Sequence, residues 1–310
     1  MKPLITIFTP TYNRANLIKN LYDSLLNQEC KDFEWIIVDD DSTDDTRVFF
    51  DCIKSEDTGF SITYMRQAHG GKHRAINRGV KIARGKYFFI VDSDDCLLPY
   101  SIKIVKNWIK DSDSNSVLAG VSGICQKPDG SIVGEFPTRR ISKKRPYIDV
   151  KNTDRYLIKL MGDKAEIYRT ELLKSHPFPE FDNEFFVTES VCWNILAEEG
   201  YKIRWYNIPI YVCEYHPDGL TNTGVNRLKG HQENYQGYCY QVKCSLRQCR
   251  NYEAVTFFRE YNNTALYLGK NLDERAHDIG LSKISYMLYM GRVPYFYFWR
   301  IVIKLVRRTM

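Results

Sequence analysis

Short apolar runs separated by amphipathic stretches dominate the first hundred residues. Apolar runs typical of buried strands occupy residues 4–8, 33–38, 62–65 and 87–91. Between them, apolar residues recur with helical spacing at 15–27, 43–53 and 72–83. Strands that alternate with helices in this way indicate a parallel sheet with right-handed crossovers, so the pattern predicts an α/β fold.

After residue 95 the pattern is less regular. It predicts helices at 99–110, 153–160 and 189–198, and strands at 117–125, 131–133, 165–168, 203–205 and 210–213. The stretch 138–145, TRRISKKR, is interpreted as a basic surface loop. From about residue 225 only helical spacing is visible. We therefore predict an α/β domain at 1–224 and a helical C-terminal region at 225–310.

Composition narrows the class of protein. The 310 residues are 44% hydrophobic and 26% charged, which is ordinary for a globular protein. No apolar run is long enough for a transmembrane helix, and the first predicted strand begins too early for a signal peptide. The nine cysteines form no CxxC pair, so we expect reduced thiols rather than zinc sites or disulfides. We expect a cytoplasmic protein.

The stretch 293–308 differs from the rest of the chain. Clustered aromatic residues precede an apolar segment interrupted by Arg300 and Lys304. This arrangement suits a helix that lies on an anionic membrane surface, on the inner face of the cell membrane. It equally suits a last helix packed against the protein, and both alternatives stay open.

Two of the predicted strands end in carboxylates. The first, FEWIIVDD, ends at Asp39 and Asp40, and the second, YFFIVDSDD, contains Asp92 and Asp94. The carboxyl ends of parallel strands are where an open α/β sheet binds its ligand. Because clustered carboxylates repel one another, a cation or hydrogen-bond donors must compensate them. The pattern predicts a metal-dependent site for an anionic ligand.

Three segments in this order carry a family resemblance: TPTYNR at 9–14, WIIVDDDS at 35–42 and IVDSDD at 90–95. They resemble family 2 glycosyltransferases, which are inverting enzymes with the GT-A fold, a Rossmann-like mixed sheet. The resemblance covers residues 3–220. It implies transfer of a sugar from a nucleotide donor, with UDP favoured, to a hydroxyl of a glycan or lipid-linked glycan acceptor in surface polysaccharide synthesis.

The resemblance implies a nucleoside pocket lined by Pro10 and Tyr12, whose aromatic ring can stack on a base. It also implies that Asp40 reads uracil, with Asp39 as its neighbour. A carboxylate accepts a hydrogen bond from a ring N–H that uracil has and cytosine lacks. The alternative is that these carboxylates only cap a helix starting near residue 43, and we expect Asp41 to do only that.

The resemblance also implies contacts with the diphosphate and with a metal ion. Lys72, after a pair of glycines, is placed by the resemblance beside the diphosphate. Asp92 and Ser93 are expected to contact the nucleotide, and Asp94 with Asp92 to hold Mn²⁺ or Mg²⁺. We expect Asp95 to be a bystander, or to act only through the residues beside it. His216, in a loop after the last strand, is a further metal candidate, with ordinary surface exposure as the alternative.

An inverting transfer needs a base, and the resemblance places it at the head of the helix near residue 189. Glu189 is our candidate, although this chain has Thr-Glu where many relatives have Glu-Asp. Glu184 and Asp182 are nearby rivals, and Glu189 also suits simple compensation of the helix dipole. Asp163 is a candidate acceptor contact.

Two other classes of protein stay open. A nucleotidyltransferase also uses carboxylates and a metal, but needs a Gly-rich basic loop after the first strand, where this chain has TPTYNR. A binding module that holds a nucleotide sugar without turnover would keep Asp40 and Asp94 and need no base. The expected partners are a nucleotide sugar and a glycan or lipid-linked acceptor, and no nucleic acid.

Overall fold

The computed structural model describes residues 2–214, 227–248 and 252–292. The chain forms two compact units. The first comprises Met1–Phe178 and Cys192–Asn222, and the second comprises Pro179–Val191 and Thr223–Met310. Residues 179–191, which we assigned to the α/β domain, therefore group with the C-terminal helices.

A nine-stranded sheet forms the centre of the first unit, in the order β3-β2-β1-β4-β8-β6-β9-β5 with β7 on β9. Strands β1 to β4 pair in parallel, whereas β8 is antiparallel to both of its neighbours, so the sheet is mixed. The strands are β1 Ile5–Thr11, β2 Phe33–Asp39, β3 Ser61–Arg66, β4 Tyr87–Ile90, β5 Cys96–Leu97, β6 Leu118–Gln126, β7 Tyr147–Val150, β8 Lys164–Arg169 and β9 Lys202–Val212.

Helices cover both faces of the sheet at its central strands. All seven residues of β2 are buried, which is the signature of a strand covered on both sides. Helix α1 buries Ile18, Leu21 and Leu25 against this core at helical spacing. The helices that begin in this unit or cross into it are α1 Ala15–Leu26, α2 Thr46–Ile53, α3 Lys72–Ile82, α4 Ser101–Ser112, α5 Thr170–Ser175 and α6 Ser190–Glu198.

Several predicted elements differ from the structure. Residues 131–133 are not a strand. Ile132 forms an isolated bridge to Gln126 after the turn at 127–130. The chain turns away at Gly134, which has a left-handed φ of 73°. The predicted helix at 153–160 is a 3-10 helix, Asn152–Ile158. The strands predicted at 203–205 and 210–213 are one strand, β9. Pro209 is tolerated there because the β6–β9 register shifts between Ser122 and Ile124.

Helix α2 begins three residues later than predicted. Its N-cap is Asp45, so the helix start predicted near residue 43 is wrong. The Ser42 backbone N–H donates to Asp39 Oδ1, and its hydroxyl accepts from the Asn13 N–H. Asp41 has a left-handed φ of 74°, which the helix cannot include. The short elements β5, β7 and α5 were not predicted.

The second unit is helical in its described part. Its helices are α7 Arg227–Glu233, α8 Tyr235–Gln248, α9 Tyr252–Tyr267, α10 Leu272–Asp278 and α11, residues 283–292. Its core includes Val242, Phe258, Tyr261 and Tyr286. Over the described ranges, no helix combines the length and apolar character that crossing a membrane requires. The stretch 293–308 lies outside those ranges.

Candidate active site

The carboxyl ends of β1, β2 and β4 bring the predicted site residues to one edge of the sheet. Thr11 lies opposite Asp39 in the parallel register of β1 and β2. The Asp40 N–H donates to the Thr11 carbonyl at 2.9 Å, so the pairing continues one residue beyond β2. On the other side of β1, the Val91 N–H donates to the Phe8 carbonyl and leads into the second acidic segment.

Asp39 is fully buried at this edge. One of its carboxylate oxygens accepts from the Ser42 N–H at 2.8 Å, and the other accepts from the Tyr64 hydroxyl. Burial and then the hydrogen bond to Asp39 raise the pKa of Tyr64. Both oxygens are engaged by the chain itself, so Asp39 supports this loop, and its predicted contact with the nucleotide remains a prediction.

Asp40 gathers four donors from the segment before α3. Its Oδ1 accepts from Gln67 Nε2 at 2.7 Å and from the Gly70 N–H at 2.8 Å. Its Oδ2 accepts from the Gly71 N–H at 2.8 Å and contacts His69 Nδ1 at 2.9 Å. A carboxylate has about four lone-pair directions. A base that donates to Asp40 must therefore displace one of these four groups.

Of these four donors, His69 is the one whose displacement would disturb the fold least. Its side chain is 42% exposed, whereas that of Asp40 is 7% exposed and Gln67 is buried. The His69 ring stacks on Tyr12, with centroids 4.6 Å apart and an interplanar angle of 30°. Tyr12 is itself 45% exposed. An aromatic face and a carboxylate acceptor therefore flank the imidazole, as they would flank a base.

Asn13 and Asp41 stabilise the loop behind this pair. The Asn13 side-chain oxygen accepts from the Thr43 N–H at 2.8 Å, and its N–H donates to Ser42 Oγ at 2.8 Å. Asp41 forms an ion pair with Arg66 at 2.8 Å. Asp41 does not cap α2, so that expectation is wrong. Pro10 is half-buried in β1 behind the same loop.

Lys72 connects residues 67–71, which surround Asp40, to the second acidic segment. It is the first residue of α3, and its Nζ lies 2.7 and 2.9 Å from the two carboxylate oxygens of Asp92. Both side chains remain partly exposed. A cation at a helix N-terminus beside an acidic turn is well placed to contact diphosphate oxygens.

Tyr211 and Asp95 brace the turn that contains Asp92, Ser93 and Asp94. The Tyr211 hydroxyl accepts from the Asp92 N–H at 3.0 Å and donates to Asp95 Oδ2 at 2.7 Å. The Glu214 N–H donates to Asp95 Oδ1 at 2.9 Å. Burial, followed by the negative charges of Asp92 and Asp94, raises the pKa of Asp95 to about 7. Asp95 is thus a bracing group, and Ser93 is buried beside it.

The acidic turn that contains Asp92 and Asp94 offers ligands for a divalent cation. In the part of the chain that the structure describes, no three His, Cys, Asp or Glu side chains form a ready-made metal site. Asp92 and Asp94 offer hard oxygen donors, however, and after burial their negative charges contribute to the raised pKa of Asp95. Mg²⁺ sites commonly use one or two carboxylates and substrate phosphates, so the residues fit such an ion. His216 lies outside the described residues.

Lys164, which sequence reasoning missed, supports the loop that precedes β8. It is buried, and its Nζ donates to the carbonyl oxygens of Met161 and Asp163, the latter at 3.2 Å. Burial lowers the pKa of Lys164. The Asp163 side chain is exposed, so its predicted acceptor contact remains a prediction.

The candidate bases all lie in the second unit. Glu184 is buried and holds the start of α8, where it accepts from the backbone N–H groups of Gln236 at 2.6 Å and Gly237 at 2.7 Å. Asp182 is exposed. Glu189 is half-buried and immediately precedes α6. Of the three carboxylates, Glu184 has the clearest structural role.

Comparison with known proteins assigns the family. The profile described as "Glycosyl transferase family 2" matches residues 6–176, more than half of the chain. The chain therefore belongs to glycosyltransferase family 2, and the family predicted from its motifs is confirmed. Membership in this family also excludes the nucleotidyltransferase alternative.

Relatives of this chain agree with this assignment. "GalNAc(5)-diNAcBac-PP-undecaprenol beta-1,3-glucosyltransferase" of Campylobacter jejuni is 26% identical over 277 residues, covering 86% of this chain and 83% of the relative. "Poly(ribitol-phosphate) beta-glucosyltransferase" of Bacillus spizizenii is 29% identical over 174 residues, 56% of this chain and 26% of that protein.

Among solved structures, S. aureus TarS 1-349 in complex with UDP-GlcNAc has a TM-score of 0.58 at 17% identity, with 93% of this chain and 91% of that chain covered. The mannosyltransferase PcManGT of Pyrobaculum calidifontis, in complex with GDP-Man and Mn²⁺, has a TM-score of 0.54 at 18% identity, with 98% and 81% covered. The predicted GT-A fold with C-terminal helices is confirmed.

The raised pKa of Asp95 generates a prediction for the metal-free protein. Between about pH 4 and pH 7 the folded state keeps a proton that the unfolded state releases, so raising the pH favours unfolding. The free energy of unfolding should fall over this window by at most about 4 kcal/mol and then level off. Chemical denaturation in EDTA from pH 4 to pH 8 measures it.

Asp95→Asn is the control, because His176 also has a raised pKa: burial lowers it, but the hydrogen bonds of its ring to Glu199 and to the Leu172 carbonyl, together with the charge of Glu199, raise it more. Between about pH 4 and pH 7, the free energy of unfolding of Asp95→Asn should fall clearly less than that of wild type. Identical pH profiles for the two proteins would contradict the assignment.

Proposed function

We propose that this protein is an inverting, metal-dependent glycosyltransferase that moves a sugar from a UDP-sugar to a hydroxyl of a glycan or lipid-linked glycan. Two groups of residues at one sheet edge carry the proposal. The first is a slot formed by Tyr12 and Asp40 and occupied by the His69 ring, and the second is the Lys72–Asp92 pair. Family membership supplies the reaction class, and these contacts support the donor.

The donor assignment depends on Asp40. Displacement of His69 would leave Oδ2 of Asp40 with room for one donor, while the Gly70 and Gly71 N–H groups keep the carboxylate in place. Uracil has a ring N–H that can fill this position, and Tyr12 offers a stacking face. The UDP-GlcNAc bound by the TarS fragment supports this choice.

The acceptor and location are supported by the relatives. The name of the Campylobacter jejuni relative contains an undecaprenol-linked glycan, and that of the Bacillus spizizenii relative contains poly(ribitol-phosphate). We therefore propose a lipid-linked or polymeric acceptor used in surface polysaccharide synthesis. The enzyme would act on the cytoplasmic face of the membrane, as a peripheral protein.

The proposed chemistry divides among few residues. Asp92 and Asp94 would hold Mn²⁺ or Mg²⁺, which when bound stabilises the negative charge of the departing diphosphate. Lys72 contacts the same diphosphate. Glu189 accepts the proton of the acceptor hydroxyl, whose oxygen attacks the anomeric carbon from the side opposite the leaving group and inverts its configuration.

Glu189→Gln tests whether the protein is an enzyme with this base. The amide keeps the size of the side chain but cannot accept the proton. We expect UDP affinity to stay the same and sugar transfer to fall by about 10²-fold or more. Calorimetry and a UDP-release assay measure the two quantities.

Asp182→Asn is the matched control, since it neutralises the exposed rival and should leave transfer near the wild-type rate. Full transfer by Glu189→Gln would refute the base assignment. A wild-type protein that binds UDP-sugar but transfers no sugar to any glycan acceptor would favour the binding module.

His69→Ala tests the slot. If the imidazole occupies the position of the base, its removal should strengthen UDP binding by about 3- to 10-fold, because no hydrogen bond and stack must first be broken. His69→Phe separates the two contacts, since it keeps the stack on Tyr12 and loses the contact with Asp40. Weaker UDP binding by His69→Ala would show instead that His69 contacts the bound base.

A further inference from the structure

Helix α11 carries apolar residues on two opposite faces. One face packs inside its own unit, where the rings of Tyr286 and Tyr289 lie 4.7 and 5.1 Å from that of Phe258. The Tyr286 hydroxyl also donates to Asn262 at 2.7 Å. These contacts fix the orientation of the helix and determine which side chains point away from the core.

The opposite face is exposed. Ile284, Met287 and Leu288 are 74%, 61% and 62% exposed, and they lie at i, i+3 and i+4, which is one helical stripe. A helix that is apolar all round is normally buried on all sides. Within the described residues nothing covers this stripe, so its exposure calls for a partner.

Charge identifies the partner. No acidic residue follows Asp278, whereas residues 281–310 contain six Lys and Arg, so this end carries +6, equal to the formal net charge of the whole chain. Lys283 pairs with Asp273, and Arg292 lies over the Tyr289 ring at 5.6 Å. The cations and the exposed stripe are therefore next to each other in the chain.

We infer that the α11 stripe, defined as Ile284, Met287 and Leu288, docks on an anionic lipid surface. Apolar side chains at the depth of the headgroups bury surface that water otherwise contacts, and nearby cations are attracted by anionic lipids. A second copy of the chain would also cover the stripe, but pairing two such ends would bring two +6 segments together. The inference is independent of the sugar donor.

Vesicle co-sedimentation of the full chain tests this inference. Wild-type protein should bind phosphatidylcholine vesicles that contain phosphatidylglycerol, and bind pure phosphatidylcholine vesicles more weakly. The double variant Ile284→Ser, Leu288→Ser should bind the anionic vesicles at least about tenfold more weakly, because less apolar surface is buried on binding. Ile284→Leu should bind as wild type does.

Val48→Ser is the matched control, because Val48 is an equally exposed apolar residue on α2 of the other unit. It should leave vesicle binding unchanged. Thermal unfolding of the double variant should match that of wild type, since the replaced side chains are exposed.

Three results would overturn the inference. The first is equal vesicle binding by wild type and the double variant, or none by wild type. The second is a wild-type dimer in sedimentation velocity that the double variant converts to a monomer, which would assign the stripe to a second copy. The third is a clear loss of thermal stability in the double variant, which would show that the chain itself covers the stripe.

Discussion

Buried negative charge at the carboxyl edge of the sheet is the constraint on which the site depends. The parallel pairing of β1 with β2 and β4 places Asp39, Asp40 and Asp92 together. A buried carboxylate without donors is strongly destabilising, so the surrounding loops must supply them. Asp39 and Asp40 receive theirs from Ser42, Tyr64 and the segment 67–71. In satisfying these carboxylates, the loops bring His69 and Tyr12 beside Asp40, where the nucleotide is proposed to bind.

The second acidic segment is compensated differently. Lys72 pairs with Asp92, and Tyr211 braces the turn, but burial and the charges of Asp92 and Asp94 still raise the pKa of Asp95. A divalent cation bound at this turn would add positive charge beside these carboxylates. The two strand ends therefore differ: Asp40 is held by four donors of its own chain, whereas the second end contains a carboxyl group with a raised pKa.

Sequence alone was sufficient for the elements with strong periodicity and local motifs. The four parallel strands and the acidic strand ends followed from apolar runs, and the family followed from three short motifs. The bracing residues could not be predicted, because they depend on distant contacts. Tyr211 lies 116 positions after Asp95, and no pattern in β9 distinguishes it from other buried aromatics. The helix start predicted near residue 43 was wrong because Ser42 is held in the loop by its contacts with Asn13 and Asp39.

Asp40 is proposed to select the base, and Asp92 and Asp94 are proposed to hold the metal. The most direct measurement is calorimetric titration of UDP and CDP into wild type, Asp40→Asn and Asp94→Asn, each with Mn²⁺ and with EDTA. Wild type should prefer UDP and bind it more tightly with Mn²⁺. Asp94→Asn should lose the Mn²⁺ effect and keep the preference for UDP, and Asp40→Asn should lose that preference. Equal affinity of wild type for UDP and CDP, or no effect of Mn²⁺ on UDP affinity, would contradict these roles.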